Sequence, residues 1–293
     1  MALRVTPLHP HVGARAEGVD LRKPLGAGLA AEIEAAMDRH AVLVFPGQDL
    51  TDAQQMAFGL NFGPVEPTRA TVDAHRHRLS VPEMNDISNL DVDGTILKAD
   101  DRKRMFNLGN RLWHSDSSFK ATPAKYSMLH ARSIPPAGGE TEFADMRAAW
   151  DALPEQMRAR VKDLVCWHSL LYSRARLGFH GFTDEEKKQF APVPQRLVRR
   201  HAGSKRLGLY LSSHIGRIEG WEVPEAMMLV ADLIEHATQR EFVYRHEWSV
   251  HDLVVWDNRC TMHRGRPYDD MKYPRDVRRV TLQDSAPTLE QAV

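Results

Sequence analysis

The stretch Trp113-His114-Ser115-Asp116 decides how the rest of this chain is read. It sets an imidazole and a carboxylate at positions i and i+2, and in an extended segment that period of two turns both side chains to one face. Two such groups on one face chelate a divalent metal. A third ligand is available far downstream. There Leu253-Val254-Val255-Trp256 reads as a buried strand, Asp257-Asn258 as the turn that ends it, and His263 follows shortly afterwards. Two histidines and one carboxylate make the facial triad of non-haem Fe(II) oxygenases, which leaves coordination positions open for substrate and O₂. Alone the His-x-Asp pair is a weak signal, because a chain with 15 His and 39 acidic residues produces some by chance.

The 293 residues are 42% hydrophobic, enough for a substantial core in one large domain, residues 1–293. Lys plus Arg equals Asp plus Glu, 39 each, so no global field gathers nucleic acid or an anionic membrane, and neither partner is expected. Cys166 and Cys260 are too few and too far apart for a disulfide framework, which fits a reducing compartment. The N-terminal run from Met1 to Pro7 lacks the apolar core of a signal peptide, and no run of about 18 apolar residues occurs. The expectation is a cytoplasmic homo-oligomer acting on a small molecule.

Along the chain, Gly13 to Leu25 reads as strands and turns, and Leu29, Ile33, Ala36 and Met37 recur at helical spacing. Ala41 to Phe45 is a buried strand stopped by Pro46-Gly47. Thr51 and Gln54 form a capping box that predicts a helix over 52–62, with Met56, Phe58 and Leu60 as core. Residues 64–110 show little periodicity and read as a long functional loop with short strands, in which His75 and His77 flank Arg76 as a possible metal pair or, more simply, as solvated side chains. Strands follow at His114 to Asp116, Tyr126 to Ala131 and Glu140 to Phe143; Asp145 to Val161 is helical with a break at Leu153-Pro154. A second weakly patterned excursion covers 169–200. Beyond it come a strand at Leu207 to Leu211, an amphipathic helix over 224–238, and an alternating strand at Glu241 to Trp248 in which His246 reads as a packed histidine. The fold class expected is mainly β with helices: a double-stranded β-helix (jelly roll, cupin-like) core decorated by helices and two long loops.

Several segments, in order, now resemble one family. They are Gly18-Val19-Asp20-Leu21, Val44-Phe45-Pro46-Gly47-Gln48, Phe62-Gly63-Pro64, Trp113 to Phe119, Gly138-Gly139-Glu140-Thr141, Asp145-Met146, and Trp256-Asp257-Asn258-Arg259 through His263-Arg264. The set resembles the TauD/TfdA family of Fe(II)/2-oxoglutarate-dependent dioxygenases. Leu112 to Phe119, Asp145 to Leu153 and Glu235 to His246 look closest to its 2,4-dichlorophenoxyacetate dioxygenase branch. The resemblance implies His114, Asp116 and His263 as the iron ligands. It implies Thr141 and Arg275 as contacts of 2-oxoglutarate, and Arg279 as the arginine near the anionic end of the substrate. One extra residue in Asp269 to Pro274 leaves Arg278 as the competitor of Arg279. Asn110 matches a substrate-contacting asparagine, and His201 and His214 are further histidines that either reach the site or bond structurally.

The residues support that reading independently. The far carboxylate of a 2-oxo acid calls for a buried cation, and the planar fork of arginine makes two parallel hydrogen bonds to it. On a strand Arg275 and Arg279 share a face, whereas Arg278 points away. The implied reaction couples oxidative decarboxylation of 2-oxoglutarate, with O₂, to hydroxylation of an anionic aromatic substrate. A phenoxyacetate hydroxylated beside its ether oxygen falls apart to a phenol and glyoxylate. Met105, Phe106, Leu108, Leu170, Leu171 and Leu211 are candidates for the ring slot, while Cys260 reads as packing rather than ligand. Rival expectations are the same chemistry on a sulfonate, a 2-aryloxypropionate or another aromatic acid, and a non-catalytic metal-binding jelly roll.

Overall fold

The computed structural model describes residues 2–67 and 76–292. Strands β1 (Arg4–Pro7) and β2 (Ala14–Glu17) pair antiparallel. Helix α1 (Ala27–His40) ends where Ala41 turns left-handed (φ 58°), and β3 (Val42–Phe45) leaves from there wholly buried. Helix α2 (Asp52–Gly59) begins at the expected capping box, with Thr51 and Gln54 bonding reciprocally. It is shorter than the spacing predicts, and Leu60 is not core but 58% exposed. Gln55, Phe58 and Gly59 form the stripe that faces the protein, and residue 60 falls off it.

The stretch expected to be loop with short strands over 64–110 contains one such strand, β4 (Asn85–Ser88), and also a helix, α3 (Arg102–Asn107), with a 3₁₀ turn at Leu108–Arg111. Asp101 caps α3 by accepting from the N–H groups of Lys103 and Arg104. Elements this short leave little periodic signal. Strands β5 (Ala124–Ser133) and β6 (Thr141–Asp145) follow, then α4 (Met146–Asp151) and α5 (Glu155–Val161), divided at Pro154 as expected. Strand β7 (Val165–His168) leads into the second excursion, which is likewise ordered, holding α6 (Leu170–Ala175), α7 (Asp184–Gln189), β8 (Val193–Arg196) and β9 (Val198–Arg200). Next come β10 (Leu207–Leu209), β11 (Ile215–Ile218), α8 (Val223–Ala237), β12 (Val243–His246), β13 (Leu253–Asp257), β14 (Thr261–Gly265) and β15 (Asp276–Gln283). β12 stops at His246 because its partner β6 begins at Thr141, opposite that residue.

The largest sheet has the order β1-β2-β3-β13-β5-β15-β4, and a smaller one has the order β12-β6-β14. Period-two alternation divides the β13 side chains between two layers. Val254 and Trp256 join Val42, Val44 and Leu129 in a cluster with Phe143 of β6, so this core lies between the two sheets. Leu253 and Val255 face the other way, toward Ile33 and Met37 of α1 and Phe58 of α2. Behind the small sheet, Ala144 and Met262 pack with Trp150 of α4 and Leu229 and Leu233 of α8. The order is therefore helices, sheet, sheet, helices: mainly β with helices. A satellite cluster of Phe106, Phe119, Leu170, Phe179 and Phe190 joins α3 to the second excursion, with Phe106 and Phe179 edge to face at 5.8 Å. No helix among the described residues is long and apolar enough to cross a membrane.

Phe143 is fully buried between the sheets. Phe143→Ala is expected to cost about 3–5 kcal/mol, the loss of a large buried ring plus its cavity. Urea denaturation measures this as a lower midpoint at unchanged slope; a loss below about 1 kcal/mol would contradict a closed interface.

Candidate metal centre

β14 places His263 opposite His114. The His114 N–H donates to the His263 carbonyl (3.0 Å), and the His263 N–H donates to the His114 carbonyl (2.8 Å). This bridge is isolated, so the strand expected through Asp116 is confined to His114. Beyond it the chain turns, with Ser117 at φ 53°. The reason lies in what replaces the ladder: Ser115 Oγ donates to the Asn258 carbonyl (2.7 Å) and the Asp116 N–H to Asn258 Oδ1 (3.0 Å). Asn258 is itself fixed, accepting from Trp256 Nε1 (3.0 Å) and donating to Ser127 Oγ (2.9 Å).

The i, i+2 reading nevertheless holds in space. His114 Nε2 lies 3.9 Å from Asp116 Oδ1, and His263 Nε2 lies 3.7 Å from Asp116 Oδ2. All three ligand atoms fall within 4.8 Å of one another, and all three residues are buried. His114 Nδ1 donates to the Leu112 carbonyl (2.7 Å), which fixes the tautomer and leaves the Nε2 lone pair free. Ser127 Oγ donates to Asp116 Oδ2 (2.8 Å), and Arg279 Nη1 donates to Oδ1 (2.5 Å).

Burial lowers the pKa of both imidazoles, more than offsetting the pull of Asp116. For Asp116 burial works upward, but Arg279, His263 and His114 outweigh it and hold the carboxyl at about 2. Two neutral nitrogen donors and one carboxylate are thus in ligand-ready states, and the set fits a divalent first-row ion.

A second group, His201, Asp257 and Cys260, also brings ligand atoms together. Its carboxylate is already spent. Asp257 accepts from Arg259 Nε (2.9 Å), Arg259 Nη2 (2.6 Å) and His201 Nε2 (2.9 Å). His201 is accordingly a structural hydrogen-bonding histidine, and Cys260 packs in the core between the sheets. His246 is packed as expected, 3.2 Å from Asp252. Of the pair flanking Arg76, His75 lies outside the described residues, and His77 Nδ1 sits 2.7 Å from the Leu79 carbonyl.

A cavity opens beside the two histidines, and Asn110, Thr141, Arg275 and Arg279 share its wall. Thr141 Oγ1 accepts from Trp248 Nε1 (3.0 Å). Arg275 is buried, its N–H tied to Asn89 Oδ1 (2.8 Å), and its guanidinium has no carboxylate partner among the described residues. Along β15 the alternation separates Arg279 from Arg278, whose Nη1 donates to Asp52 on the α2 side (2.6 Å). His214 stays off the cavity wall but lies near the centre, its ring 6.0 Å from His114 and its Nδ1 2.8 Å from Ser173 Oγ. Of the ring-slot candidates, Leu108 lines the cavity. Met105, Phe106, Leu170 and Leu171 belong to the aromatic satellite, and Leu211 packs behind the small sheet.

Sequence reasoning missed Asn258 and Ser127 as supports, and it missed the clasp on the cavity wall, where Arg104 (3.1 Å) and Arg111 (3.2 Å) both grip Asp270. A polar Ser127 inside an apolar strand was the available signal for the first pair. Nothing local marks the clasp.

The family model described as "Taurine catabolism dioxygenase TauD, TfdA family" matches residues 4–281. The chain belongs to this family of dioxygenases. It is 48% identical to the alpha-ketoglutarate-dependent 2,4-dichlorophenoxyacetate dioxygenase of Cupriavidus pinatubonensis, over 98% of this chain and 99% of that one. It is 38% identical to the (S)-phenoxypropionate/alpha-ketoglutarate-dioxygenase of Sphingobium herbicidovorans, over 92% and 91% respectively. Among solved structures, AAD-2 in complex with Mn(II) and N-oxalylglycine superposes with a TM-score of 0.95 at 56% identity, covering 98% of this chain and 100% of that one.

Because burial keeps both imidazoles neutral, Mn(II) affinity measured by calorimetry should stay level from about pH 8 to about pH 6 and fall only on further acidification. Ordinary imidazoles with pKa about 6.5 would already lose roughly tenfold over that interval, and such a loss would refute the assignment. Asn258→Ala removes the acceptor that holds the Asp116 backbone, and an affinity loss of about 10–100-fold is expected in the same titration.

Proposed function

We propose that this chain is an Fe(II)- and 2-oxoglutarate-dependent dioxygenase of aryloxyacetic acids, 2,4-dichlorophenoxyacetate being the substrate to try first. The observation that carries the reading is Arg275, a buried guanidinium without a carboxylate of its own, opening onto the same cavity as His114 and His263. A cation desolvated in that way is costly unless an anion arrives to meet it. The distal carboxylate of 2-oxoglutarate is such an anion. The two facing sheets are taken as a double-stranded β-helix core, and the whole chain as one catalytic domain.

His114 Nε2, Asp116 and His263 Nε2 would hold the iron. When bound, Fe(II) supplies the activation of O₂, which the decarboxylation of 2-oxoglutarate to succinate and CO₂ makes possible. The protein positions and holds charge. Thr141 and Arg275 receive the co-substrate at one end of the cavity. Arg279, bonded to Asp116, keeps that carboxylate ionised and fixes its orientation. One oxygen atom enters the C–H bond beside the ether oxygen of the substrate. The resulting hemiacetal then breaks the bond between its ether oxygen and the hydroxylated carbon; the oxygen leaves on the ring, the hydroxyl proton passes to it to give the phenol, and the carbon becomes the aldehyde of glyoxylate.

The similarity to a 2,4-dichlorophenoxyacetate dioxygenase supports an aryloxyacetate over a sulfonate; the phenoxypropionate relative makes the propionate the nearest competitor. With Fe(II), 2-oxoglutarate and O₂, succinate formation should be stimulated more by 2,4-dichlorophenoxyacetate than by taurine or by either enantiomer of its propionate analogue. No stimulation by any aryloxyalkanoate would defeat the proposal. Arg275→Ala should raise the KM for 2-oxoglutarate about 10–100-fold, as loss of a charged hydrogen-bonded pair requires, and an unchanged KM would mean another cation holds the co-substrate.

A further inference from the structure

The wall of the cavity is assembled from separate stretches of chain. Arg104, Asn107, Leu108, Asn110 and Arg111 come from α3 and the 3₁₀ turn that follows it, and Gly265, Arg266, Tyr268 and Asp270 from the end of β14 and its connection to β15. Asp270 joins the two. Its Oδ1 accepts from Arg104 Nη2 (3.1 Å) and its Oδ2 from Arg111 Nη2 (3.2 Å). Arg104 and Arg111 are the first and last residues that α3 and its turn give to the wall, so one carboxylate holds both ends of that stretch.

The connection that carries Asp270 is itself fixed. Asn89 Nδ2 donates to the carbonyls of Asp270 (2.7 Å) and Tyr273 (2.9 Å), and the Gly139 N–H donates to the Pro267 carbonyl (3.3 Å). On the gripped side, the other bond of Arg104, from Nη1 to the Ala99 carbonyl (2.8 Å), stays within its own stretch of chain. Side-chain exposures of 14% for Asp270 and 16% for Arg104 shield this ion pair from water, where a charge-assisted hydrogen bond holds better than on an open surface. Between the two gripped ends stand Asn107, Leu108 and Asn110, and Leu108 is the ring-slot candidate that lines the cavity. The proposed reaction gives Asp270 no part as ligand, acid or base.

We infer that Asp270 is a positioning residue that sets specificity. By gripping Arg104 and Arg111 it holds Leu108 and Asn110 where the wall fits an aryloxyacetate and leaves no room for a methyl group on the carbon beside the ether oxygen. A wall held in this way discriminates about 10–200-fold for one added carbon. An aryloxyacetate and its 2-aryloxypropionate analogue carry the same single charge. The ratio of their affinities therefore reports where the wall stands, and the two guanidiniums that a lost carboxylate would set free act on both acids alike. The inference rests on the aryloxy-acid reading above.

The test compares 2,4-dichlorophenoxyacetate with the two enantiomers of 2-(2,4-dichlorophenoxy)propionate. Binding of each to anaerobic Mn(II)-loaded protein with 2-oxoglutarate is measured by calorimetry, beside succinate formation with Fe(II). The wild-type protein should bind the acetate at least about tenfold better than either enantiomer, and in D270N that preference should fall to about threefold or less. The affinity for 2-oxoglutarate should hold in D270N, because the backbone of Arg275 is tied by Asn89 and not by Asp270. D270E keeps a carboxylate between the two guanidiniums and should recover most of the preference, which a general loss of stability would not allow. R104Q and R111Q each remove one grip and leave the other, so each should lower the preference in part, whether or not D270N folds. A preference that stays at its wild-type value in every folded variant overturns the assignment of Asp270 and leaves the proposed function standing, as does an affinity loss shared equally by the acids and 2-oxoglutarate. A wild-type protein that answers to no aryloxy acid overturns both.

Discussion

Two backbone hydrogen bonds between His114 and His263 are the constraint on which the site depends. They join segments far apart in the chain at one residue pair, and they fix the distance between two imidazoles before any metal is considered. Because the pairing ends there, the chain is free to turn at once and bring Asp116 back against both rings. Asn258 makes that turn affordable by accepting the Asp116 N–H that a longer ladder would have satisfied. The sandwich supplies rigidity behind this arrangement: Trp256 and Phe143, packed between the sheets, both lie against His263, with ring centroids 4.7 and 6.1 Å away.

Charge around the centre follows one pattern. Buried carboxylates that serve structure are closed by arginines, as Asp145 is by Arg147 and Asp257 by Arg259. Asp116 is also paired, with Arg279, and this keeps it an anion despite its burial. Among the described residues, the buried guanidiniums without a carboxylate are Arg275, on the cavity wall, and Arg174, against Phe106 of the aromatic satellite. Arg275 is thus the uncompensated buried charge that opens onto the cavity, while Asp145 and Asp257 are neutralised by arginines of their own.

Much of this was legible in the sequence where a signal is periodic or spaced. The capping box at Thr51, the helix break at Pro154, the buried strand ending at Asp257 and the His114/Asp116 pair all lie where local chemistry predicts them. Alternation also separated Arg279 from Arg278. The six-residue helices α3, α6 and α7 escaped, because they are too short to show a stripe, so the helical parts of the two excursions went unread. Leu60 misled because hydrophobicity alone does not say where a helix ends. The clasp at Asp270 was invisible for a different reason: its partners Arg104 and Arg111 are distant in the chain, and only three-dimensional placement joins them.

The aromatic satellite is built from two excursions that clasp each other by ring contacts, while the ligands themselves stand on the sheets and their turns. Inheritance can therefore treat the two as separable parts. Only the first excursion, through residues such as Asn107, Leu108 and Asn110, reaches the cavity wall, so side chains there can change without disturbing the bridge between His114 and His263. A scaffold divided in this way lets lineages acquire new diets while the oxidising machinery is passed on unaltered.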